Sequence, residues 1–223
     1  MSDSKAHWLA VHEGIVRRTF SLGVASSNAL FSDPKMLGFM AARYKFVSKL
    51  LGGMKEVVEV GCGDAFGAPV VAKAVGALTC TDIDEPTLAD NRLRLAELQN
   101  IKFRYHDFRE GPLPFKADAA YCVDVIEHIF PDEEPTFLKN VVAGLADNGV
   151  FLVGTPNLTA DAYASELSRK GHVNLKDQAS LRDTMTPFFN NVFMFGMNDE
   201  VVHTGFAPMA HYIWALCVGP KRP

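Results

Sequence analysis

The sequence predicts an α/β fold, a mostly parallel sheet with helices on both faces, and three observations predict it. Short apolar runs alternate with longer helix-period segments between about residues 55 and 155, the pattern of repeated βα units. One of those runs ends in a glycine turn that leads straight into a helical segment. After residue 155 the pattern changes and the chain finishes on two β-rich runs close enough to pair as an antiparallel hairpin.

In chain order, Asp33-Pro34 marks a helix start. Met36, Leu37, Met40, Tyr44, Val47 and Leu51 then form one apolar stripe that runs to a stop at Gly52-Gly53. This helix belongs to an N-terminal helical annex, residues 1–54, ahead of a βα region at 55–223, the two making one compact domain. The runs Glu56–Val60, Ala77–Thr81, Ile101–Tyr105, Asp118–Val123 and Gly149–Gly154 read as strands. Ala68–Val75, Glu85–Leu98 and Glu133–Leu145 read as the helices between them, with Asp84 as an N-cap and Pro86 in the first turn that follows. A polar stretch with few apolar anchors comes next, then a helix at Asp177–Thr186 and the paired runs Asn191–Phe195 and His211–Val218.

At 223 residues, 48% apolar and 22% charged, the chain can bury a substantial core as one domain. Twenty-two basic residues against 26 acidic ones leave a net charge of −4. No broad cationic field exists to hold nucleic acid, so no nucleic-acid partner is expected. The opening MSDSKAHWLA lacks a signal-peptide pattern, and no apolar run approaches the roughly 20 residues that span a bilayer. A cytoplasmic protein with no membrane partner is the expectation. Cys62, Cys80, Cys122 and Cys217 lie in or beside strands without metal spacing, and read as reduced, buried apolar residues. Oligomeric state is not legible, a homodimer included.

The chemistry concentrates at Val57-Val58-Glu59-Val60-Gly61-Cys62-Gly63-Asp64-Ala65-Phe66-Gly67. Gly61 and Gly63 permit positive φ and lack a Cβ, so a ligand can lie against the backbone where the strand ends. The spacing is G-x-G-x-x-x-G, with Glu59 two residues before the first glycine. A dinucleotide fingerprint is G-x-G-x-x-G with an apolar residue there, and a carboxylate would repel a pyrophosphate. Glu59 suits a ligand end that carries an ammonium group, or it orients backbone amides within the turn. About 20 residues on, the next strand ends in Thr81-Asp82-Ile83-Asp84, where a carboxylate can accept from both hydroxyls of a ribose.

These residues resemble the class I S-adenosylmethionine-dependent methyltransferases, in particular the small-molecule group that includes the ubiquinone-biosynthesis O-methyltransferases. The likeness extends over residues 55–157. Glu59-Val60-Gly61-Cys62-Gly63 resembles the family's first motif, and Asp82-Ile83-Asp84 its ribose-binding acid followed by an apolar residue against the adenine. His106-Asp107-Phe108 falls where the family places an acid for the adenine amino group, although an Asx turn would also explain Asp107. Asp124-Val125-Ile126-Glu127-His128-Ile129 resembles the exit of the fourth strand. The resemblance implies a Rossmann-like seven-stranded sheet with an antiparallel last strand, S-adenosylmethionine as cofactor, an annex that covers it, and Glu59, Gly61, Cys62, Gly63, Asp82, Ile83, Asp107, Phe108, Asp124 and Val125 as its contacts. Two positions depart from the pattern: Asp147-Asn148-Gly149 replaces a Pro-Gly-Gly turn, and Asp64-Ala65-Phe66 is bulky before Gly67.

Ligands of open α/β sheets gather at the carboxyl ends of the strands. That selects Asp124–Pro131, Thr155–Asn174 and Asn198–Met209 as the acceptor region. A small-molecule methyl acceptor is the expected partner, with O-methylation of a sugar or secondary-metabolite hydroxyl ahead of N-methylation of a small amine and of a non-catalytic S-adenosylmethionine-binding module. A hydroxyl must lose its proton, and histidine is the base matched to neutral pH. His128 and His172 are the catalytic candidates; Asn157, His172, Asn174 and His203 are the acceptor contacts. Arg43, Lys45 and Lys49 fit an anionic substrate or, more simply, a solvated helix face. With no His-x-x-x-His or acid–His cluster at ligand spacing, no metal is expected.

Overall fold

A computed structural model describes residues 3–15 and 19–222. Residues 1, 2 and 16–18 of the expected annex, and residue 223, lie outside the described residues. Helices α1 (Ser4–Glu13), α2 (Val24–Ser32) and α3 (Lys35–Leu50) precede the first strand. The βα region then runs β1 (Glu56–Val60), α4 (Ala68–Ala72), β2 (Ala77–Asp82), α5 (Glu85–Arg94), β3 (Ile101–Tyr105), β4 (Ala117–Val123), α6 (Glu134–Ala143) and β5 (Leu145–Pro156). Short α7 (Glu166–Gly171) and α8 (Gln178–Met185) follow, then β6 (Phe189–Asn198), β7 (Val201–His203) and β8 (Tyr212–Pro220).

Among the described residues the strands form one eight-stranded sheet in the order β3-β2-β1-β4-β5-β8-β6-β7. The first five pair in parallel, and β8 enters antiparallel between β5 and β6. The expected pairing of the two tail runs is therefore present. The eighth strand is the difference from the implied seven: Val201–His203, within the anticipated connection, turns back on β6 and adds a short outer edge. The strand order reverses between β1 and β4, which opens a crevice at their carboxyl ends.

Two cores form because β1, β4 and β5 are apolar on both faces. Tyr44 and Val47 of α3, with Leu51 just past its end, pack with Val71, Leu78, Leu88, Tyr121 and Trp214 on one side. Phe137, Leu138 and Val141 of α6, with Leu181 and Met185 of α8, pack against Phe151, Phe189 and Ile213 on the other. The α3 stripe behaves as its spacing requires at its second half, whereas Met36 remains exposed. Helix α8 begins on a reciprocal capping box between Asp177 and Ser180. The Asp147-Asn148-Gly149 turn sits inside β5, where a register shift between Ala117 and Ala119 absorbs it. All four cysteines are buried free thiols. No helix among the described residues is long and apolar enough to cross a membrane.

Candidate active site

Gly61 and Gly63 leave β1 at φ 72° and 50°, in the left-handed region. A Cβ on Gly61 would fall 2.6 Å from Cγ2 of Val125, while one on Gly63 would meet nothing within 4 Å, so the outer side of the turn is open. Asp82 ends β2 with its carboxylate turned onto this loop. It accepts from the amides of Gly63 (2.8 Å), Ile83 (2.8 Å) and Asp84 (3.0 Å). Charge-assisted bonds of this kind lock the two motifs together. Helix α5 grips the loop from below: Asn91 Nδ2 donates to the Gly63 carbonyl at 2.8 Å, and Arg94 donates to the Asp64 carbonyl at 2.7 Å. Ile83 is 54% exposed beside the loop, an uncovered apolar face. Cys62 is buried, and its amide donates to the Thr81 carbonyl at 2.9 Å. Asp84 occupies the N-cap position of α5, as expected, and its carboxylate accepts from the Thr87 hydroxyl.

Glu59 is fully buried beneath the loop. The Cys80 thiol donates to it at 3.3 Å, and the Tyr44 and Tyr121 hydroxyls flank it. Burial pushes its carboxyl up to about 7, against which these donors pull it down. The third glycine of the motif serves packing: a Cβ on Gly67 would lie 1.9 Å from Cγ of Tyr44, so only glycine lets α3 seat that ring over the loop. The bulky Asp64 also has a local explanation. Its Oδ2 accepts from the amide and the hydroxyl of Ser26, both at 2.7 Å, and so caps α2 from outside the helix.

A second tie joins the annex to the sheet. Asp124 leaves β4 at φ 58° and accepts from Arg43 at 2.5 Å, with the guanidinium 4.0 Å over the ring of Tyr212. Arg43 thus departs from the solvated-face expectation, since it reaches inward to Asp124 at the exit of β4, while Lys45 and Lys49 are exposed. Nothing in helical periodicity distinguishes Arg43 from them.

Two expected cofactor contacts have other partners. Asp107 accepts from Arg109, at 2.7 Å from the guanidinium and 2.9 Å from the amide, which holds its carboxyl below the usual range. Phe108 is buried in the core against Phe137.

In the region expected to take the acceptor, the exits of β4 and β5 are stitched together around Glu127, which is fully buried. Its Oε2 accepts from the Thr155 hydroxyl at 3.0 Å; its carbonyl accepts from the amides of Val173 (2.9 Å) and Asn174 (3.0 Å). Those backbone bonds fix the segment that carries His172. His128 Nδ1 donates to the Gly171 carbonyl at 2.8 Å, and the two imidazole centroids are 5.2 Å apart. Ligand atoms of Glu127, His128 and His172 all lie within 4.8 Å of one another. Spacing along the chain shows no metal motif because the third member arrives from another loop. Burial raises the Glu127 carboxyl, and burial together with His128 lowers the His172 imidazole.

The remaining acceptor candidates are not brought to this cluster. Asn157 is buried, donating to the carbonyls of Ala207 (3.0 Å) and Ala210 (2.7 Å) and accepting from Thr159 at 3.3 Å. Asn174 joins Glu134 (2.8 Å) and Lys176 (3.2 Å). His203 Nε2 meets Asn198 Oδ1 at 2.9 Å and Nδ1 accepts from the Gly205 amide at 3.0 Å, so both ring nitrogens serve the hairpin.

Comparison with known proteins bears on this geometry. A family model described as "Methyltransferase domain" matches residues 58–151. A protein of Mycolicibacterium smegmatis named "Probable S-adenosylmethionine-dependent methyltransferase" is 34% identical over 104 residues, 46% of this chain and 38% of that one. The "Ubiquinone biosynthesis O-methyltransferase" of Rickettsia akari is 28% identical over 111 residues, 49% of this chain and 43% of its own length. The chain thus matches about two fifths of the length of these curated relatives. Among solved structures, the methyltransferase domain of bacterial CtHen1-C superposes with a TM-score of 0.69 at 18% identity, over 82% of this chain and 100% of that one, a likeness of fold. The glycine turn locked to the Asp82 carboxylate and the strand order that reverses beside it accompany a segment, residues 58–151, that is similar to the methyltransferase domains of S-adenosylmethionine-dependent enzymes.

Proposed function

We propose that the protein is a methyltransferase that moves a methyl group from S-adenosylmethionine to a hydroxyl of a small polar molecule. The observation that carries this reading is the Asp82 carboxylate bonded to the amide of Gly63, with exposed Ile83 beside it. The crevice fits the cofactor. The turn presents positive-φ glycines with open space above Gly63, one acid at the ribose position and an apolar face for a flat ring. Gly61, Gly63 and the backbone at Cys62 hold the methionine end, with Glu59 attracting its ammonium group from below. Asp82 and Ile83 hold the adenosine, while Asp107 and the Phe108 backbone border its ring. Val125 and the Arg43–Asp124 pair close the crevice toward the annex. When bound, S-adenosylmethionine supplies a sulfonium methyl for in-line displacement, with the thioether as leaving group.

The chain then has to align the acceptor, exclude water and take away a proton. The Glu127, His128 and His172 cluster supports a hydroxyl acceptor, because a neutral amine needs no base to attack. As the C–O bond forms, the hydroxyl proton passes to the imidazole of His172, with His128 fixed beside it by its bond to Gly171. Asn157, Asn174 and His203 support that region by bracing its loops. Calorimetry with S-adenosylhomocysteine and with NAD tests the reading. Binding of the first and not the second is expected; binding of neither, or of NAD alone, overturns it.

A further inference from the structure

We propose that Glu127, His128 and His172 form a binding site for a divalent first-row transition-metal cation at the acceptor edge of the sheet. Three independent features point there. First, the donor atoms of the three side chains already lie within 4.8 Å of one another, close enough for one ion to reach all of them after small rotamer adjustments. Second, buried polar atoms on the cluster and beside it lack hydrogen-bond partners. Glu127 is fully buried, and its Oε1 has no hydrogen-bond partner although its Oε2 is engaged by Thr155. Nδ1 of His172 and Oδ1 of Asp161, on the turn Leu158–Tyr163, are likewise buried and unpartnered. A buried carboxylate oxygen without a partner is costly, and a cation is the ligand that relieves it.

Third, the surroundings orient the ligands as metal sites do. A carbonyl can only accept, so the His128 Nδ1 beside Gly171 carries the proton and Nε2 keeps its lone pair for an ion. Thr155 fixes the Glu127 carboxylate from behind, and the two backbone bonds to the Glu127 carbonyl hold the His172 segment in place. Glu127 and His128 therefore each have an outer partner that holds their direction, and the backbone next to His172 is pinned beside them.

Two imidazole nitrogens and one carboxylate oxygen suit zinc, manganese, iron or cobalt; magnesium and calcium prefer all-oxygen shells. Three protein ligands also leave at least one position open, the arrangement of a catalytic rather than a structural site. This inference rests on the reading of the edge as the acceptor site. There the open position takes the acceptor oxygen, and the ion replaces His172 as the group that makes the hydroxyl acidic, its proton leaving to water. The substrate class narrows accordingly to molecules whose hydroxyl can ligate a metal.

The test uses the full chain stripped with a chelator and titrated with cobalt(II), whose visible absorption reports imidazole and carboxylate ligation. One equivalent per chain should bind, with absorption stronger than that of the aqueous ion and a raised unfolding temperature. Glu127→Gln and His172→Ala should each weaken binding at least about tenfold. Absorption of the aqueous ion alone, or affinity unchanged in both variants, overturns the site. Should Glu127→Gln not fold, the half-buried His172→Ala carries the comparison. Binding of S-adenosylhomocysteine by the wild-type chain is read separately. A chain that binds it but not cobalt loses only the metal site; one that binds cobalt but not the thioether loses the methyltransferase reading.

Discussion

The two ends of the crevice are built by different means. At the cofactor end, Gly61, Gly63, Asp82 and Ile83 come from two contiguous motifs that exchange hydrogen bonds directly across adjacent parallel strands. At the acceptor end, Glu127 and His128 meet His172 only because a distant segment is pinned to the Glu127 carbonyl. A ligand held by backbone needs residues that permit a turn, and such residues announce themselves by spacing. A ligand held by side chains needs only that they converge, and convergence leaves no local trace.

The largest effect expected on this contrast is at Asp82. Asp82→Ala removes three charge-assisted hydrogen bonds, one of them to the loop amide of Gly63, as well as the proposed ribose contact, and affinity for S-adenosylhomocysteine should fall about 100-fold or more, equivalent to about 3 kcal/mol. Calorimetry measures it directly. An affinity within threefold of wild type would mean that the adenosine is held elsewhere and that the two ends are built more alike than their hydrogen bonds imply.

Asn157 tests the opposite end. Asn157→Ala takes its donor from the buried Ala210 carbonyl and one of two donors from the Ala207 carbonyl, and should cost about 2 kcal/mol of stability. Chemical denaturation reads that loss. Affinity for the cofactor product should stay within about twofold, since none of its bonds reaches the glycine loop. His203→Phe should do less, about 1 kcal/mol, because its two bonds lie within one partly exposed hairpin. If His203→Phe instead lowers turnover while leaving stability intact, the hairpin reaches the acceptor and belongs to its site.

The same contrast explains what could be read beforehand. Strands β1 to β5 follow from apolar runs, and α8 from its Asp177 cap, because those signals are local. Helix α2 was invisible: its N-terminus is capped by Asp64, 38 residues away, so the sequence around Val24–Ser32 carries no start signal of its own. Gly67 looked like part of a ligand loop but is required by the Tyr44 ring, and Arg43 looked like one of three surface cations but pairs with Asp124. In the acceptor region, polarity and position selected Asn157, Asn174 and His203, whose polar atoms brace the loops. Side-chain chemistry nominated them, and only the bonds they make separate a brace from a contact.

Glu59 provides the finest probe, because it lies under the cofactor loop yet is held by side chains from three elements, as the acceptor residues are. Its folded carboxyl titrates near 7, above the ordinary 4.5 it resumes on unfolding. The folded chain therefore binds more protons between those values, and its contribution is fully present below about pH 4.5 and lost as pH rises through 7. Glu127 shifts the same way and His172 acts oppositely below 6.5, so the total pH profile mixes several groups. The difference between wild type and Glu59→Gln isolates the one carboxyl. The glutamine keeps the shape and remains neutral, so its advantage over wild type should grow by on the order of 1–2 kcal/mol from pH 5 to pH 8 in paired denaturation curves. Saturating S-adenosylhomocysteine should shrink that growth if its ammonium group sits above the carboxylate, since the ionised form then gains a partner in the folded state. A pH-independent difference would place Glu59 in contact with water and detach it from the loop; a growth that the ligand leaves untouched would make it a brace like Asn157, leaving the glycine backbone alone to hold the methionine end.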